Sequence, residues 1–138
     1  FNKLLGATRM IRDEVSFDAE CIESMSEEFT PDFTVHGIHF GEGDPENEGE
    51  HWNFSRALTT EDEGVCTVKE IQQVTIYGGI ARFTLGRNRL ICDFDEEVTP
   101  STGTKKLCIS YDLPDAKWEA LKEKAKLIFS GEEYFEIT

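Results

Sequence analysis

Hydrophobic and polar residues alternate along most of the chain between residues 33 and 111, a pattern typical of β-strands that bury one face. Turn-forming residues interrupt the alternation at roughly 8- to 12-residue intervals, as they do in an antiparallel meander. The predicted strands cover residues 33–40, 52–58, 65–71, 74–77, 80–85, 90–94 and 107–111. The residues before 33 leave the strand count at that end open.

An amphipathic helix is predicted to follow these strands. Four apolar residues recur at spacings of three, four and three, and so share one helix face: Trp118, Leu121, Ala125 and Ile128. Asp112 is placed to cap its N-terminus, Pro114 fits its first turn and Gly131 is placed to end it. Burial contributes about 1.5–3 kcal/mol per large side chain, enough to hold this stripe against a sheet. The predicted fold class is α+β, a mostly antiparallel β-sheet meander with one C-terminal amphipathic α-helix packed on a face.

The length of 138 residues predicts a single domain, residues 1–138. Hydrophobic residues make up 38 % of the chain, which is sufficient for a buried core. No apolar run approaches the roughly 18 residues that a membrane span requires, and residues 1–10 lack the apolar core of a signal peptide. The four cysteines form no Cys-x-x-Cys pair, so reduced thiols are expected rather than disulfides or a zinc knuckle. These features predict a cytoplasmic protein.

The formal net charge of −14 is distributed unevenly along the chain. Residues 1–63 contain 16 Asp and Glu against 4 Lys and Arg, a net charge of −12, whereas residues 64–138 are nearly balanced at −2. Such a field repels nucleic acid and anionic lipid, and it accelerates encounter with a basic protein. The alternative explanation is that the acidic residues only keep the protein in solution. The asymmetry nevertheless favours an acidic surface that recognises a basic protein, with no nucleic acid and no membrane as partner.

Two predicted turns carry the residues expected to contact that partner. The first turn follows the strand at 33–40 and the second follows the strand at 52–58. Together with one aromatic residue they supply the candidate binding site: Glu42, Asp44, Glu46, Glu48, Glu50, Trp52, Glu61, Asp62 and Glu63. Trp52 is included as an aromatic anchor because interface hot spots are enriched in Trp, and Phe54 is a second candidate. The alternatives are a solvated loop for the acids and core packing for the two aromatic residues.

The sequence nominates no catalytic residue, no metal site and no cofactor. A Gly-x-Ser-x-Gly elbow, a Walker loop and a helical His-Glu-x-x-His arrangement are all absent from it. We therefore expect that the chain is not an enzyme. The alternative is a small metal-binding or hydrolytic enzyme that uses His36, His39 and His51 with acidic residues. Against this alternative, His36 and His39 lie three residues apart on a predicted strand, so their side chains point to opposite faces.

Short motifs from residue 77 onward resemble those of bacterial immunity proteins. They are Tyr-Gly-Gly-Ile at 77–80, Phe-Thr-Leu-Gly-Arg-Asn-Arg-Leu at 83–90, Asp-Glu-Glu at 95–97, Ile-Ser-Tyr-Asp at 109–112, Trp-x-x-Leu at 118–121 and Ile-Phe at 128–129. The chain is most similar in these motifs to the tenth-numbered immunity protein family of polymorphic and contact-dependent toxin systems. The likeness covers residues 50–130.

The resemblance implies an antitoxin of contact-dependent growth inhibition, which binds the C-terminal toxin domain inside the producing cell and neutralises it. Many such toxins are nucleases with basic clefts, which an acidic protein complements in charge. The family shares no catalytic motif and its binding residues differ between members, so the candidate residues come from this sequence's own charge distribution. A further alternative is an acidic mimic of nucleic acid, directed at a binding protein unrelated to any toxin.

Overall fold

The computed structural model of the chain describes residues 11–43, 49–58, 62–69 and 74–138. These residues form ten β-strands and two α-helices. The strands are β1 (Arg12–Asp18), β2 (Cys21–Thr30), β3 (Phe33–Gly41), β4 (His51–Leu58), β5 (Cys66–Lys69), β6 (Val74–Tyr77), β7 (Ile80–Leu85), β8 (Arg89–Phe94), β9 (Thr104–Ser110) and β10 (Phe135–Ile137). The helices are the short α1 (Thr99–Thr102) and the longer α2 (Asp115–Ile128). Neither of these described helices is long and apolar enough to cross a membrane.

The strands are arranged in two five-stranded sheets. The first sheet has the order β1-β9-β8-β7-β10, and the second sheet has the order β2-β3-β4-β5-β6. The second sheet is a continuous antiparallel meander. In the first sheet, β7, β8 and β9 are antiparallel, whereas β1 pairs with β9 and β10 pairs with β7 in parallel. The two edges of the first sheet are therefore formed by β1 and β10, which come from opposite ends of the described chain.

The two sheets pack face to face through aromatic side chains. Three ring pairs join them, with centroid separations of 6.1, 5.8 and 5.1 Å: Phe40 with Tyr111, Trp52 with Phe94, and Phe54 with Phe83. The residues that alternate with Phe40, Trp52 and Phe54 along β3 and β4 must point away from the first sheet. We call the face that contacts the first sheet the inner face of the second sheet, and the opposite one its outward face.

The chain crosses between the sheets at two tight connections. At the first, Ala19 donates its backbone N–H to Ser110 in the first sheet, and the next residue, Glu20, donates to Gly41 in the second sheet. At the second, Gly79 has a φ of 79°, and a Cβ placed there would lie 2.3 Å from Val98. Only glycine fits that backbone conformation and that space. Because of the first crossing, the edge strands β1 and β2 adjoin each other at one side of the sandwich.

Helix α2 covers part of the inner face of the second sheet, where it contacts β2, β3 and β4. Its buried residues are the four of the predicted stripe: Trp118, Leu121, Ala125 and Ile128. Phe129, directly after the helix, contacts Phe54 of the second sheet and Phe83 of the first at centroid distances of 6.4 and 4.3 Å. The helix end therefore closes the seam between the two sheets.

The predicted α+β fold class is confirmed, since a mostly β structure carries one long C-terminal helix packed on antiparallel strands. The seven predicted strands are all present, with β5 shorter than expected within the described residues. The expected single meander is instead divided between two sheets. Strands β1, β2 and β10 were not predicted. Strand β2 is exposed along almost its whole length and shows no buried alternation, β1 buries only Val15 and Phe17, and β10 is three residues long.

The predicted cap of α2 is wrong. Pro114 occupies the N-cap position, and no side chain makes a capping hydrogen bond there, so Asp112 does not cap the helix. Asp115 supplies the negative charge in the first turn instead, where it favours the positive end of the helix dipole. At the other end, the C-cap is Phe129, and Gly131 adopts a φ of 82° in the turn that follows.

The aromatic core predicts a large difference in stability between two phenylalanine substitutions. Phe54 is fully buried between Phe83 and Phe129, and Phe54→Ala should lower the free energy of unfolding by about 3–5 kcal/mol. Phe29 is 58 % exposed, and Phe29→Ala should lower it by less than about 1 kcal/mol. Urea unfolding measures both variants. Equal destabilisation by the two substitutions would contradict this assignment of the core.

Candidate functional site

Acidic side chains are concentrated along the adjoining edge strands β1 and β2. Eight carboxylates between residues 12 and 32 are exposed: Asp13, Glu14, Asp18, Glu20, Glu23, Glu27, Glu28 and Asp32. The same segment contains a single basic residue, Arg12, so its net charge is −7. We call this segment the acidic edge. It holds more than half of the net charge of −12 carried by residues 1–63.

The acidic edge is little neutralised by neighbouring cations. Asp13 lies 3.4 Å from Lys105, in a pair whose side chains are both largely exposed. Exposed pairs of this kind contribute roughly 0–1 kcal/mol. Among the described residues, the other seven carboxylates form no ion pair. Their potential is therefore available to a binding partner. The sequence contained this charge, but without an assigned strand before residue 33 it could not be placed on a surface.

The first predicted acidic turn adjoins this edge. A Cβ placed at Gly43 would lie 3.9 Å from a carboxylate oxygen of Glu20. Glu42 and Glu50 face each other across the base of the turn, because the Glu42 amide donates to the Glu50 carbonyl at 2.9 Å and the Glu50 amide donates to the Glu42 carboxylate at 3.2 Å. Glu42 is exposed and Glu50 is half-buried. The remaining predicted residues of this turn lie outside the described part of the chain: Asp44, Glu46 and Glu48.

The prediction of Trp52 as a surface anchor is wrong. Its side chain is fully buried, with the ring stacked on Phe94 at 5.8 Å and Lys69 Nζ 5.4 Å from the ring centroid. Its indole N–H donates to Glu50 at 3.1 Å, which satisfies the polar edge of the ring. Phe54 is buried as well, so core packing is the correct interpretation for both aromatic residues.

The second predicted acidic turn is divided between structural and exposed residues. Asp62 accepts hydrogen bonds from Arg56 Nε at 3.0 and 3.2 Å and from the Gly64 amide at 2.8 Å. Arg56 also donates to the carbonyls of Ile128 and Ser130, so this ion pair ties β4 to the end of α2. Glu63 is exposed, while Glu61 lies outside the described residues. Within the described part of this turn, Glu63 is therefore the carboxylate left for a partner.

The alternative enzyme hypothesis requires the three histidines to converge on one site, and they do not. His36 points to the inner side, where its Nδ1 lies 2.7 Å from Ser26 Oγ, and burial followed by the Lys124 charge lowers its pKa. His39 points outward, with its Nε2 3.5 Å from Nδ1 of His51. The predicted separation of His36 and His39 onto opposite faces is confirmed. Among the described residues, no three His, Cys, Asp or Glu side chains are grouped to hold a metal ion.

One depression and the four cysteines are further candidates for a reactive site in the described regions. A depression of about 730 Å³ beside the β7–β8 turn has Arg89 as its one charged lining residue. Tyr111 lines it as well, but its hydroxyl donates to the Gly86 carbonyl and burial raises its pKa. None of the four cysteines forms a disulfide, as expected. Only Cys92 is fully buried, and burial raises the pKa of its thiol well above the ordinary value.

The contact between Arg56 and Asp62 predicts a pH dependence. The hydrogen bond from Arg56, followed by that from Gly64, lowers the pKa of Asp62 below its ordinary value of 3.8. A carboxyl pKa that is lower in the folded state stabilises the fold above the unfolded value, and this contribution is lost as the pH falls through the folded value. Arg56→Met should raise the pKa of Asp62 toward 3.8, as measured by carboxyl NMR titration. Lys106→Met, which removes a cation 3.9 Å from Asp93, is the control and should leave the pKa of Asp62 unchanged.

Comparison with known proteins identified no relative of the chain. No protein-family model, no curated protein and no solved structure matches the chain. Arguments about function therefore rest on the chain's own surfaces: the acidic edge, the turn that adjoins it at Glu20 and Gly43, and the exposed Glu63.

Proposed function

We propose that the chain is a bacterial immunity protein, which binds and neutralises the C-terminal toxin domain of a contact-dependent or polymorphic toxin system. The proposed target is a basic domain, such as a nuclease, and binding takes place in the cytoplasm of the producing cell. The chain acts by occupying the toxin surface and does not itself catalyse a reaction. The observation that carries this proposal is the acidic edge, where exposed carboxylates are gathered at one side of the sandwich.

The physical argument is one of charge complementarity. Like charges on neighbouring strands repel one another, so a net charge of −7 within residues 12–32 destabilises the fold locally. A role in binding accounts for carboxylates that the fold itself does not need. A cleft that binds nucleic acid is lined with Lys and Arg, and it meets such an edge with opposite potential. The attraction acts over about 8 Å at physiological ionic strength, so it accelerates encounter before any contact forms.

The acidic turn extends this surface. Glu20 links the acidic edge to Gly43, and the paired Glu42 and Glu50 hold the two ends of the turn together. Asp44, Glu46 and Glu48 follow directly in sequence between those ends. We propose that they belong to the toxin-binding surface, together with Glu42, Glu50 and Glu63. Trp52 is no longer part of it because it is buried.

Charge reversal on the acidic edge tests this proposal. Asp18→Lys with Glu20→Lys should weaken binding to the toxin domain about tenfold or more, because it places cations against a basic partner. Glu133→Lys with Glu136→Lys changes the net charge equally near the opposite edge strand, β10, and should weaken binding less than about threefold. The toxin domain to use is the C-terminal domain encoded immediately upstream of this chain's gene, with affinity measured by calorimetry.

The ionic strength of the same titration supplies the internal control. Raising NaCl from about 0.05 to 0.5 M should weaken wild-type binding and reduce the difference between the two charge variants. Wild-type binding that does not change with salt, or equal losses in the two variants, would contradict an electrostatic interface at the acidic edge.

The contribution of the acidic turn is tested separately. Glu46→Lys with Glu48→Lys leaves the Glu50–Trp52 hydrogen bond intact and should also weaken toxin binding about tenfold, since these carboxylates follow Gly43 by three and five residues. The measurement is the same calorimetric titration. Unaltered affinity in this variant would remove the turn from the mechanism and leave the acidic edge as the binding surface.

A further inference from the structure

The outward face of the second sheet carries an unusual set of exposed apolar side chains. Seven large hydrophobic residues are exposed in the described part of the chain, and four of them gather on this face. They are 40–58 % exposed: Met25, Phe29, Phe33 and Tyr77. Single exposed hydrophobic residues are common on protein surfaces, but several that lie together on one face mark an interaction site.

The four side chains belong to one continuous surface. Phe29 and Phe33 contact each other with their ring centroids 5.2 Å apart. Phe33 and Tyr77 line the same depression, of about 280 Å³, with Ser55 between them. A Cβ placed at Gly37 would lie 3.4 Å from Met25 and 3.6 Å from Ser55, so the missing side chain of Gly37 lowers the middle of the face. A shallow apolar groove therefore runs across the sheet from β2 to β6.

The charges around this groove are mainly negative. Arg56, which also lines the depression, is paired with Asp62 at 3.0 Å. The outward positions of the described strands in the second sheet include no Lys and no Arg. Glu23 and Glu27 stand on the β2 side, where they belong to the acidic edge, and Glu63 lines the depression near β6. The groove is thus an apolar centre with carboxylates at both ends. This is the arrangement of a protein interface with an apolar core and a polar rim.

We propose that this groove is the docking site for the basic toxin domain, which contacts it through an apolar patch flanked by Lys or Arg. The inference rests on the proposed function and deepens it, because it assigns the centre of the interface to one face of one sheet. Charge complementarity selects this occupant. A second copy of the chain would place Glu23, Glu27 and Glu63 against the same carboxylates, which is unfavourable.

The groove and its rim make different contributions to binding. The carboxylates attract the partner over a distance and so govern the association rate and its dependence on salt. The apolar side chains act only in contact, where removing them from water slows dissociation. Replacing them with an uncharged polar residue should therefore change dissociation without changing association.

The test is a double substitution at the two ends of the groove, Phe29→Ser with Tyr77→Ser, in the full chain. Both side chains are 58 % exposed, so the fold should be retained. The matched control is Leu58→Ser with Leu127→Ser, which removes two side chains that are 37 % and 42 % exposed away from this face. Binding to the toxin domain encoded immediately upstream is followed by surface plasmon resonance, and sedimentation velocity gives the oligomeric state of each variant.

The expected result is dissociation about tenfold faster or more for the groove variant, with association and its salt dependence unchanged and the control within about twofold of wild type. Wild-type binding with no change in the groove variant would overturn the docking site and leave the charge-based proposal standing. No binding by the wild-type chain would overturn the proposed function and this inference together. A wild-type dimer that the groove variant dissociates would assign the groove to a second copy and overturn the inference.

Discussion

The aromatic contact between the two sheets is the interaction on which the rest of the structure depends. It buries the inner face of the second sheet through three ring pairs: Phe40 with Tyr111, Trp52 with Phe94, and Phe54 with Phe83. Because a strand projects alternate residues to opposite sides, the residues that alternate with this buried set lie on the outward face. The same contact brings the edge strands β1 and β2 together, since the chain passes from one sheet to the other within residues 19 and 20. The outward face and the acidic edge both follow from this packing.

The carboxylates of the acidic edge have two physical effects. Edge strands expose unpaired backbone groups that could pair with another chain, and the eight exposed carboxylates between residues 12 and 32 oppose such pairing between copies. The same charges attract a basic protein and orient it toward this side of the molecule. Next to them, the groove from Phe29 to Tyr77 offers apolar contact area. Attraction at the edge and burial in the groove are therefore complementary parts of one proposed interface.

The sequence predicted those elements whose residues alternate between the core and solvent. Strands β3, β4, β7 and β8 and the buried stripe of α2 are of this kind, and each is present where it was expected. Strand β2 was missed because Glu23, Met25 and Glu27 alternate with Ser24 and Ser26, and neither set is buried. The parallel pairing of β1 with β9 joins residues about ninety positions apart, for which no local pattern exists. Trp52 was wrongly predicted to lie at the surface. It is two residues from Phe54 on the same strand, a spacing that indicates that both side chains face the core.

Hydrogen–deuterium exchange of the chain, alone and with the toxin domain encoded immediately upstream, tests the central claim most directly. The claim is that the sandwich presents one composite surface to a basic protein, made of the acidic edge and the outward face of the second sheet. Slower exchange on binding is expected in β2, in the turn after β3 and in β6, with no change in β10 at the opposite edge of the first sheet. Protection confined to β10 and the exposed side of α2 would contradict it.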